Sequence, residues 1–273
     1  MAETRHAQPG DGRDLSSRHG LILMGDSRTC DKLVFERPVT IYGQSSFHNC
    51  RLGAYTYLGH CAQCTNVTFG RYCSCASHLV MGLGSHSSSW FTTFPFTAES
   101  NPFRHVTSHG AVENPWCEAS KPYDYQPAHI TVGNDVWIGD HVTFPGARDI
   151  AVGTGAIIGA YAVVARDIPP YCVAVGNPAR VVRQRFSDAV IADLLDSQWW
   201  NYDVPACLAA NAKLVDSKFM REAEVFVSWW KNGGRELLQK YPLSQEWRQV
   251  TISETGGEMV FLGKGDEAAD KAF

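Results

Sequence analysis

The stretch that decides the fold runs from Val132 to Pro178 and reads VGNDVWIGDHVTFPGARDIAVGTGAIIGAYAVVARDIPPYCVAVGNP. In it, an aliphatic residue followed by Gly or Ala recurs every six residues, as at Val132-Gly133 and Ile138-Gly139. A period of six matches neither an α-helix nor an alternating strand. It predicts a mainly β fold, a parallel β-helix of hexapeptide units in which the aliphatic side chains point into a narrow prism.

The same period appears earlier in the chain in a weaker form. Leu52-Gly53 and Leu58-Gly59 are six residues apart, as are Phe69-Gly70 and Cys75-Ala76. Each coil of such a solenoid buries its hydrophobic face only by stacking on the next coil, so several coils are required. The block FPGARDIAVGTG exceeds the six-residue spacing by two residues and predicts a bulged corner near Asp149-Ile150. An ordinary β-sandwich with frequent turns is the alternative interpretation.

A long interruption, about residues 83–129, separates the two periodic blocks. A loop of this length inside a compact domain is usually functional or disordered. Its aromatic residues argue against disorder, so we expect an ordered excursion from the prism. The predicted organisation is a flexible N-terminal tail and lead-in (1–30), a β-helix domain (31–182) with the inserted loop 83–129, C-terminal helices (183–240) and a C-terminal extension (241–273).

Helical spacing replaces the six-residue period after the solenoid. Residues 183–200 predict an amphipathic helix with Ser187 as its N-cap, and residues 204–238 predict a second helical stretch. The segment EWRQVTISETGGEMVFLG predicts a β-hairpin that turns at Gly256-Gly257. We expect the final residues, GKGDEAADKAF, to be disordered.

Composition limits the possible functions and partners. The chain has 273 residues, a net charge of −4 and no dominant basic run, so non-specific binding to nucleic acid has little electrostatic support. It lacks an apolar span of about 20 residues that would cross a membrane. The first residues lack the apolar core of a signal peptide, so we expect a cytoplasmic protein with reduced cysteines.

The spacing of four cysteines allows two interpretations. Cys61, Cys64, Cys73 and Cys75 could together ligate zinc. However, Cys64 and Cys75 occupy inward positions of the hexapeptide pattern, where a cysteine packs as a small hydrophobic residue. Packing is the simpler interpretation, and we expect no metal.

Four segments stand in the order expected of a known family. They are FGRYCSCASHLVMGLGSH (69–86), WFTTFPF (90–96), ITVGNDVWIGDHVTFPGA (130–147), and IIGAYAVVARDIPPYCVAVGNPARVVRQRF (157–186) followed by LLDSQWW (194–200). In these motifs the chain resembles the xenobiotic acetyltransferases, hexapeptide-repeat enzymes that acetylate chloramphenicol and streptogramin-type antibiotics with acetyl-CoA. The resemblance implies a left-handed parallel β-helix, a homotrimer, and acetyl transfer to a hydroxyl group of a small molecule.

The resemblance also implies which residue is catalytic. The family places a histidine between the YCS segment and a Pro-Phe pair, and His86 stands there. An alcohol is a poor nucleophile at neutral pH, and a neutral imidazole within hydrogen-bond reach takes its proton as the oxygen attacks the thioester. We expect direct transfer, without a Ser or Cys nucleophile. His78, His105, His109, His129 and His141 lack this context, and we interpret them as structural or solvent-facing.

Further site residues follow from the resemblance. The family binds acetyl-CoA along the outside of the prism, between subunits, where small side chains and free backbone amides are needed. Two arginines are placed to meet the CoA phosphates. The early coil and the inserted loop would line the acceptor pocket. The predicted CoA-binding residues are Trp137, Gly159, Ala160, Ala165, Asn177, Pro178, Arg180 and Arg183, and the predicted acceptor-binding residues are Tyr55, Tyr57, Trp90, Phe91 and Phe94.

Three other functions remain open from the sequence. A sugar N-acetyltransferase on the same scaffold would act on an amine and need no histidine base. A zinc-dependent hydratase of the carbonic anhydrase type needs three converging histidines, for which His105, His109 and His129 are candidates. The third is a non-catalytic scaffold whose inserted loop serves binding alone.

Overall fold

The computed structural model describes residues 5–6, 19–24, 28–29, 32–84, 91, 93, 128–211, 221–253 and 256–270. Parallel strands stack into about six coils of a solenoid, as the six-residue period predicts. The strands are β1 (Arg5–His6), β2 (Leu21–Met24), β3 (Arg28–Thr29), β4 (Leu33–Glu36), β5 (Val39–Tyr42), β6 (Ser46–Leu52), β7 (Thr56–Leu58), β8 (Gln63–Phe69), β9 (Ser74–Cys75), β10 (Val80–Leu83), β11 (Ile130–Val132), β12 (Trp137–Ile138), β13 (Thr143–Pro145), β14 (Ile150–Val152), β15 (Ile157–Ile158), β16 (Cys172–Val175), β17 (Arg180–Gln184), β18 (Glu246–Ser253) and β19 (Gly256–Lys264).

The strands of the solenoid form three faces. Face 1 is the sheet β2-β5-β7-β9-β12-β15-β16, with β17 added antiparallel at its end. The other sheet bends, and it supplies face 2 (β3, the start of β6 and β8, β10 and β13) and face 3 (β4, the end of β6 and β8, β11 and β14). The coil-to-coil ladders are parallel, which excludes the sandwich interpretation.

The inward positions of successive coils form one continuous hydrophobic core. Every inward residue singled out by the hexapeptide period is at most 3% exposed, in the weak early block as well as the strong late one. This burial confirms the predicted register. The inward residues are Ile41, Phe47, Leu52, Leu58, Cys64, Phe69, Cys75, Met81, Val132, Ile138, Phe144, Ile150, Val152, Ile158 and Val164.

Two of the three corners of the prism repeat the same local structure. At these corners the residue three places after an inward side chain adopts positive φ, as at His78 (58°) and Tyr55 (62°). In most coils the residue directly after that inward side chain is small because the next coil lies against it. A Cβ on Gly139, for example, would lie 2.6 Å from the backbone nitrogen of Ala160. The first corner, between faces 1 and 2, carries Gln44, Cys61, His78, His141 and Tyr161; the second, between faces 3 and 1, carries Tyr55, Tyr72, Asp135, Gly155 and Tyr171.

The third corner, between faces 2 and 3, is where the inserted loop leaves and returns. Strand β10 ends at Leu83 on face 2, and β11 begins at Ile130 on face 3. One coil further on, the longer connection between β13 and β14 turns at the same corner, where Asp149 accepts a hydrogen bond from the backbone of His129 (2.8 Å). The extra residues thus bulge at the predicted place, and Ile150 still points inward (2% exposed).

Helices cover the second corner after the solenoid ends. The first begins after Ser187, as predicted, although the side chain of Ser187 makes no capping hydrogen bond. The predicted continuous stretch over 204–238 is wrong: its first helix stops at Ala210, and a kink with non-helical angles at Asn232 and Gly233 interrupts the remainder. The helical segments are α1 (Asp188–Ser197), a 3₁₀ turn (Trp199–Asn201), α2 (Val204–Ala210), α3 (Ala223–Trp229), the kink Trp230–Gly234, α4 (Arg235–Leu238) and α5 (Asp266–Asp270).

The described part of the C-terminal extension forms regular structure against the first coil. Strands β18 and β19 form the predicted hairpin, but Gly256 and Gly257 lie within β19, paired with Ser253 and Ile252, and not at the turn as predicted. Strand β18 adds antiparallel to β4 on face 3. The expected disorder after Gly263 is also wrong over the described residues, because α5 packs Ala269 into a small core with Trp247.

The predicted N-terminal tail also contributes strands. Strand β2 belongs to the first coil, where Leu21 is buried (1% exposed) and pairs with Val39. Strand β1 pairs antiparallel with β19. The ordered structure therefore begins within the segment 1–30.

A buried ion pair ties the extension and the helices to the solenoid. Glu36 is fully buried and accepts hydrogen bonds from Arg71 at 2.6 Å and 3.2 Å. The same guanidinium donates to Asn201 (2.6 Å) and contacts Asp266 (3.4 Å). One side chain thus joins the first coil, the 3₁₀ turn and α5.

Candidate functional site

Face 1 presents a row of outward side chains that contains two of the predicted site residues. Tyr57 pairs with Ser74, Ser74 with Trp137, and Trp137 with Ile157 across successive coils. Tyr57 is 42% exposed and Trp137 is 55% exposed. They are two coils apart, which places them about 10 Å from each other at the usual strand spacing. The structure thus brings a predicted acceptor residue and a predicted CoA residue to one surface.

Most of the predicted CoA-binding residues border the same face. Gly159 and Ala160 follow β15 at the first corner, where Ala160 is exposed. A Cβ on Gly159 would lie 2.7 Å from the side chain of Val175, which explains the small residue. The turn that contains Asn177 and Pro178 follows β16 on face 1, and both residues are exposed.

The two predicted phosphate-binding arginines lie on β17 and are exposed. Arg183 pairs with Val173 on face 1, and its guanidinium donates to the carbonyl of Gln184 (3.1 Å). Arg180 donates to the carbonyl of Ala179 (2.8 Å). Neither guanidinium has a carboxylate partner among the ion pairs of the described residues.

Two predicted residues lie apart from this group. Ala165 is exposed at the third corner, beyond the bridge that Val163 forms with Thr143 on face 2. Tyr55 lies at the second corner, stacks on Tyr72 with 4.9 Å between ring centroids, and donates to Asp203 (2.7 Å). The structure does not bring either residue to face 1.

The predicted catalytic residue and part of the acceptor wall lie outside the described residues. These are His86, Trp90 and Phe94. Phe91 is described and is 97% exposed, so in a single chain it encloses nothing.

Three of the four cysteines considered as zinc ligands occupy buried positions in the solenoid, whereas Cys61 is half-buried. Cys64 and Cys75 are inward residues, and Cys73 is also fully buried. Burial raises the pKa of the Cys73 thiol to about 12 and the pKa of Cys64 and Cys75 well above the usual value. A buried protonated thiol is a poor metal ligand, which supports the packing interpretation.

The described residues give no support to the hypothesis of a zinc-dependent hydratase. The ring of His129 is hydrogen-bonded to the Thr68 hydroxyl (3.1 Å between Nε2 and Oγ1). His105 and His109 lie outside the described residues.

A cluster of polar side chains at the first corner was not singled out from the sequence. Asp140 contacts both His141 (2.8 Å from Nδ1) and His78 (3.4 Å from Nδ1). Partial burial raises the pKa of Asp140, but the hydrogen bonds from His141 and His78 outweigh it and hold that pKa below its usual value. A sequence signal existed, since both histidines stand three residues after an inward side chain, Cys75 and Ile138, and these two inward residues pair on face 1.

Sequence reasoning also missed a cavity at the second corner. It has a volume of about 290 Å³ and lies between the solenoid and the helices, with Asp135, Tyr171, Arg185 and Phe186 in its lining. Burial raises the pKa of Asp135 to about 6, although the Arg185 guanidinium, 3.7 Å away, opposes the shift. Arg185 also lies over the rings of Tyr171 and Phe186.

Known proteins resemble this chain over more than half of its length. A chloramphenicol acetyltransferase from Agrobacterium fabrum is 34% identical over 202 residues, which cover 64% of this chain and 88% of that protein. A chloramphenicol acetyltransferase from Klebsiella aerogenes is 32% identical over 155 residues, or 55% and 67% of the two chains. The chain belongs to the xenobiotic acetyltransferase family. No family model matches the chain.

Membership in the xenobiotic acetyltransferases confirms the predicted enzyme class. The protein is an acyltransferase that uses acetyl-CoA, and its reaction is O-acetylation. A solved structure of a mutant of AntD, an N-acyltransferase from Bacillus cereus, is 14% identical, covers 72% of this chain and 99% of that chain, and has a TM-score of 0.42. The fold assignment rests on the strand pairing described above. Among the described residues, no helix has the length and apolar character needed to cross a membrane.

Proposed function

We propose that this xenobiotic acetyltransferase moves an acetyl group from acetyl-CoA directly to a hydroxyl group of a small antibiotic-like or sugar-like molecule, with His86 as the general base. The observation that carries the proposal is the 34% identity to a chloramphenicol acetyltransferase over 88% of its length. Both relatives described above are named for chloramphenicol, so chloramphenicol is the first acceptor to test.

The reaction needs one proton relay. The neutral imidazole of His86 takes the hydroxyl proton while the oxygen attacks the thioester carbonyl. The carbonyl carbon then releases the CoA thiolate, which recovers the proton from the imidazolium. Negative charge develops on the carbonyl oxygen, and a backbone N–H facing the cleft would stabilise it.

Face 1 and the first corner offer the surface for the acyl donor. The small residues Gly159 and Ala160 leave room for an extended pantetheine arm along the coils. Arg180 and Arg183 lie at the end of the solenoid where β17 closes face 1, and they supply positive charge for the CoA phosphates. Trp137, on the same face, would contact the reactive end of the donor.

A second copy of the chain would complete the site. Face 1 carries exposed apolar side chains, among them those of Ile22, Tyr57 and Trp137, which are 42–55% exposed. Val181 and Val182 on β17 extend this apolar surface. Tyr57 pairs with Thr40 and Ser74, so polar side chains alternate with the apolar ones along this face. Exposed apolar side chains grouped on one face still mark an interaction surface. We therefore propose a homotrimer whose subunits face each other across the CoA cleft, and we propose that it works in the cytoplasm.

The test is the replacement of His86 by alanine. We expect His86→Ala to lower kcat for O-acetylation of chloramphenicol by about two to four orders of magnitude, as for loss of a general base. The assay is the release of the free CoA thiol, and CoA binding, measured by calorimetry, should persist.

The control is His48→Ala, which removes a histidine exposed on β6, away from face 1. Its kcat should equal that of the wild type. Near-normal O-acetylation by His86→Ala would remove His86 from its proposed role, and activity on amines alone would replace the proposal with N-acetylation.

A further inference from the structure

Three potential ligand atoms converge at the first corner, on His78, Asp140 and His141. One atom from each residue lies within 4.8 Å of the other two. The carboxylate of Asp140 lies within reach of both rings, 2.8 Å from Nδ1 of His141 and 3.4 Å from Nδ1 of His78. The side chains are 41–47% exposed, so the cluster is open to solvent on one side.

The solenoid holds these side chains in place. His78 and His141 occupy the same corner position in successive coils, with φ values of 58° and 55°. Each backbone is fixed by a hydrogen bond to the coil below, from His78 to His60 (2.7 Å) and from His141 to Ser77 (3.0 Å). The two rings stack with 4.2 Å between centroids, and Tyr161 stacks on His141 at 4.8 Å in the next coil. The rings therefore have little freedom to turn away.

We propose that His78, Asp140 and His141 bind a divalent transition-metal ion of the Zn²⁺ type. Bonds of about 2.0–2.1 Å in a tetrahedron put the ligand atoms roughly 3.4 Å apart, so small rotations of these side chains are enough to close the site. Two imidazoles and one carboxylate suit zinc, cobalt or nickel, whereas magnesium and calcium select oxygen ligands.

The open side of the cluster leaves a fourth coordination position for water. The site borders the first corner that also carries Ala160, but acetyl transfer needs no metal. We therefore assign the ion no step of the reaction. The proposal is independent of the role of His86.

The test is a calorimetric titration of the metal-free, full-length protein with Zn²⁺ in the absence of CoA. The wild type should bind one zinc ion per chain at this site, and His141→Ala should lose that ion. In Asp140→Asn the affinity for zinc should fall by more than about tenfold, because loss of a mere outer-shell partner of a ligand already costs about 10–100-fold and Asp140 is a direct ligand. His48→Ala should bind as the wild type does. Mg²⁺ at the same concentration should give no heat from this site.

A second measurement does not depend on the variants. Co²⁺ added to the wild-type protein should give the intense visible absorption of a tetrahedral ion with nitrogen ligands, and Zn²⁺ should displace it. Equal zinc stoichiometry and affinity in the wild type, Asp140→Asn and His141→Ala would overturn the proposal, as would zinc loss on replacing His105, His109 and His129 instead. Acetylation is assayed separately with a chelator present, so a failure of the proposed acetylation would not change the result of the zinc titration.

Discussion

Removal of the buried carboxylate of Glu36 should destabilise the protein more than any surface charge change. In Glu36→Gln, the Arg71 guanidinium, whose side chain is 10% exposed, loses a charged partner 2.6 Å away. Breaking a buried ion pair from one side costs about 3–5 kcal/mol. Asp266 still faces Arg71 at 3.4 Å, but it is 62% exposed and compensates by at most about 1 kcal/mol.

The expected loss is therefore about 3 kcal/mol in the free energy of unfolding, or roughly 6–12 °C in Tm for a chain of this size. Thermal and urea unfolding followed by circular dichroism measure it, at one fixed protein concentration because assembly adds to stability. The matched control is Asp193→Asn, which breaks an exposed pair with Lys231 (2.7 Å) and should cost less than about 1 kcal/mol.

A double-mutant cycle isolates the pair. Arg71→Met alone should also be costly, and Glu36→Gln with Arg71→Met should cost clearly less than the sum of the two single changes. A loss below about 1 kcal/mol in Glu36→Gln, or strict additivity in the cycle, would refute the reasoning that the pair is buried and coupled.

Two further predictions concern the CoA surface and pH. Ala160→Trp should raise the KM for acetyl-CoA with little change in fold, because the large side chain would block the proposed donor surface. The control is Ala151→Trp, which changes an exposed alanine on face 3 and should leave the KM unchanged. Equal KM values for the two variants would mean that acetyl-CoA binds elsewhere. The pKa of the Asp135 carboxyl is raised to about 6 in the native state, whereas in the unfolded state it has the ordinary value of about 4. Between these two pH values the folded protein keeps the carboxyl proton and the unfolded chain releases it, so the free energy of unfolding falls as the pH rises from about 4 to 6. In Asp135→Asn the difference in free energy of unfolding between pH 4.5 and 7.5, measured by urea unfolding, should be smaller than in the wild type, and an unchanged difference would contradict the prediction.

The solenoid was predictable because its repeats depend on local chemistry. An inward aliphatic residue and a small residue behind it are needed in every coil, and the sequence repeats that requirement. Even the bulge near Asp149 followed from a departure of two residues from the period.

The errors fall where packing between distant segments decides the structure. The stretch 204–238 has helical spacing throughout, yet Gly233 adopts φ of 104° and the chain kinks there. The end of the chain is polar and resembles a disordered tail, yet α5 is held by Asp266 and Asp270, which pair with Arg51. Composition does not reveal partners that lie far away in sequence.

The candidate site was predictable only in part, for the same reason. Trp137 and Ala160 lie near one another because coils stack in register, which the period implies. Tyr55 and Tyr57 are two residues apart, but a corner separates them, and Tyr55 turns toward Asp203. The cluster of His78, Asp140 and His141 forms across coils more than 60 residues apart in sequence.

The pairing of β18 with β4 has a consequence for biosynthesis. Trp247 lies beside Glu36, although about 210 residues separate them along the chain. While the ribosome is still adding the later coils, the first coil has an open edge whose amide and carbonyl groups are free to recruit a strand from another nascent chain. The segment that shields this edge, β18, is synthesised only after every coil of the prism. Truncation before Glu246 should therefore produce material that self-associates, even though every coil of the prism is present.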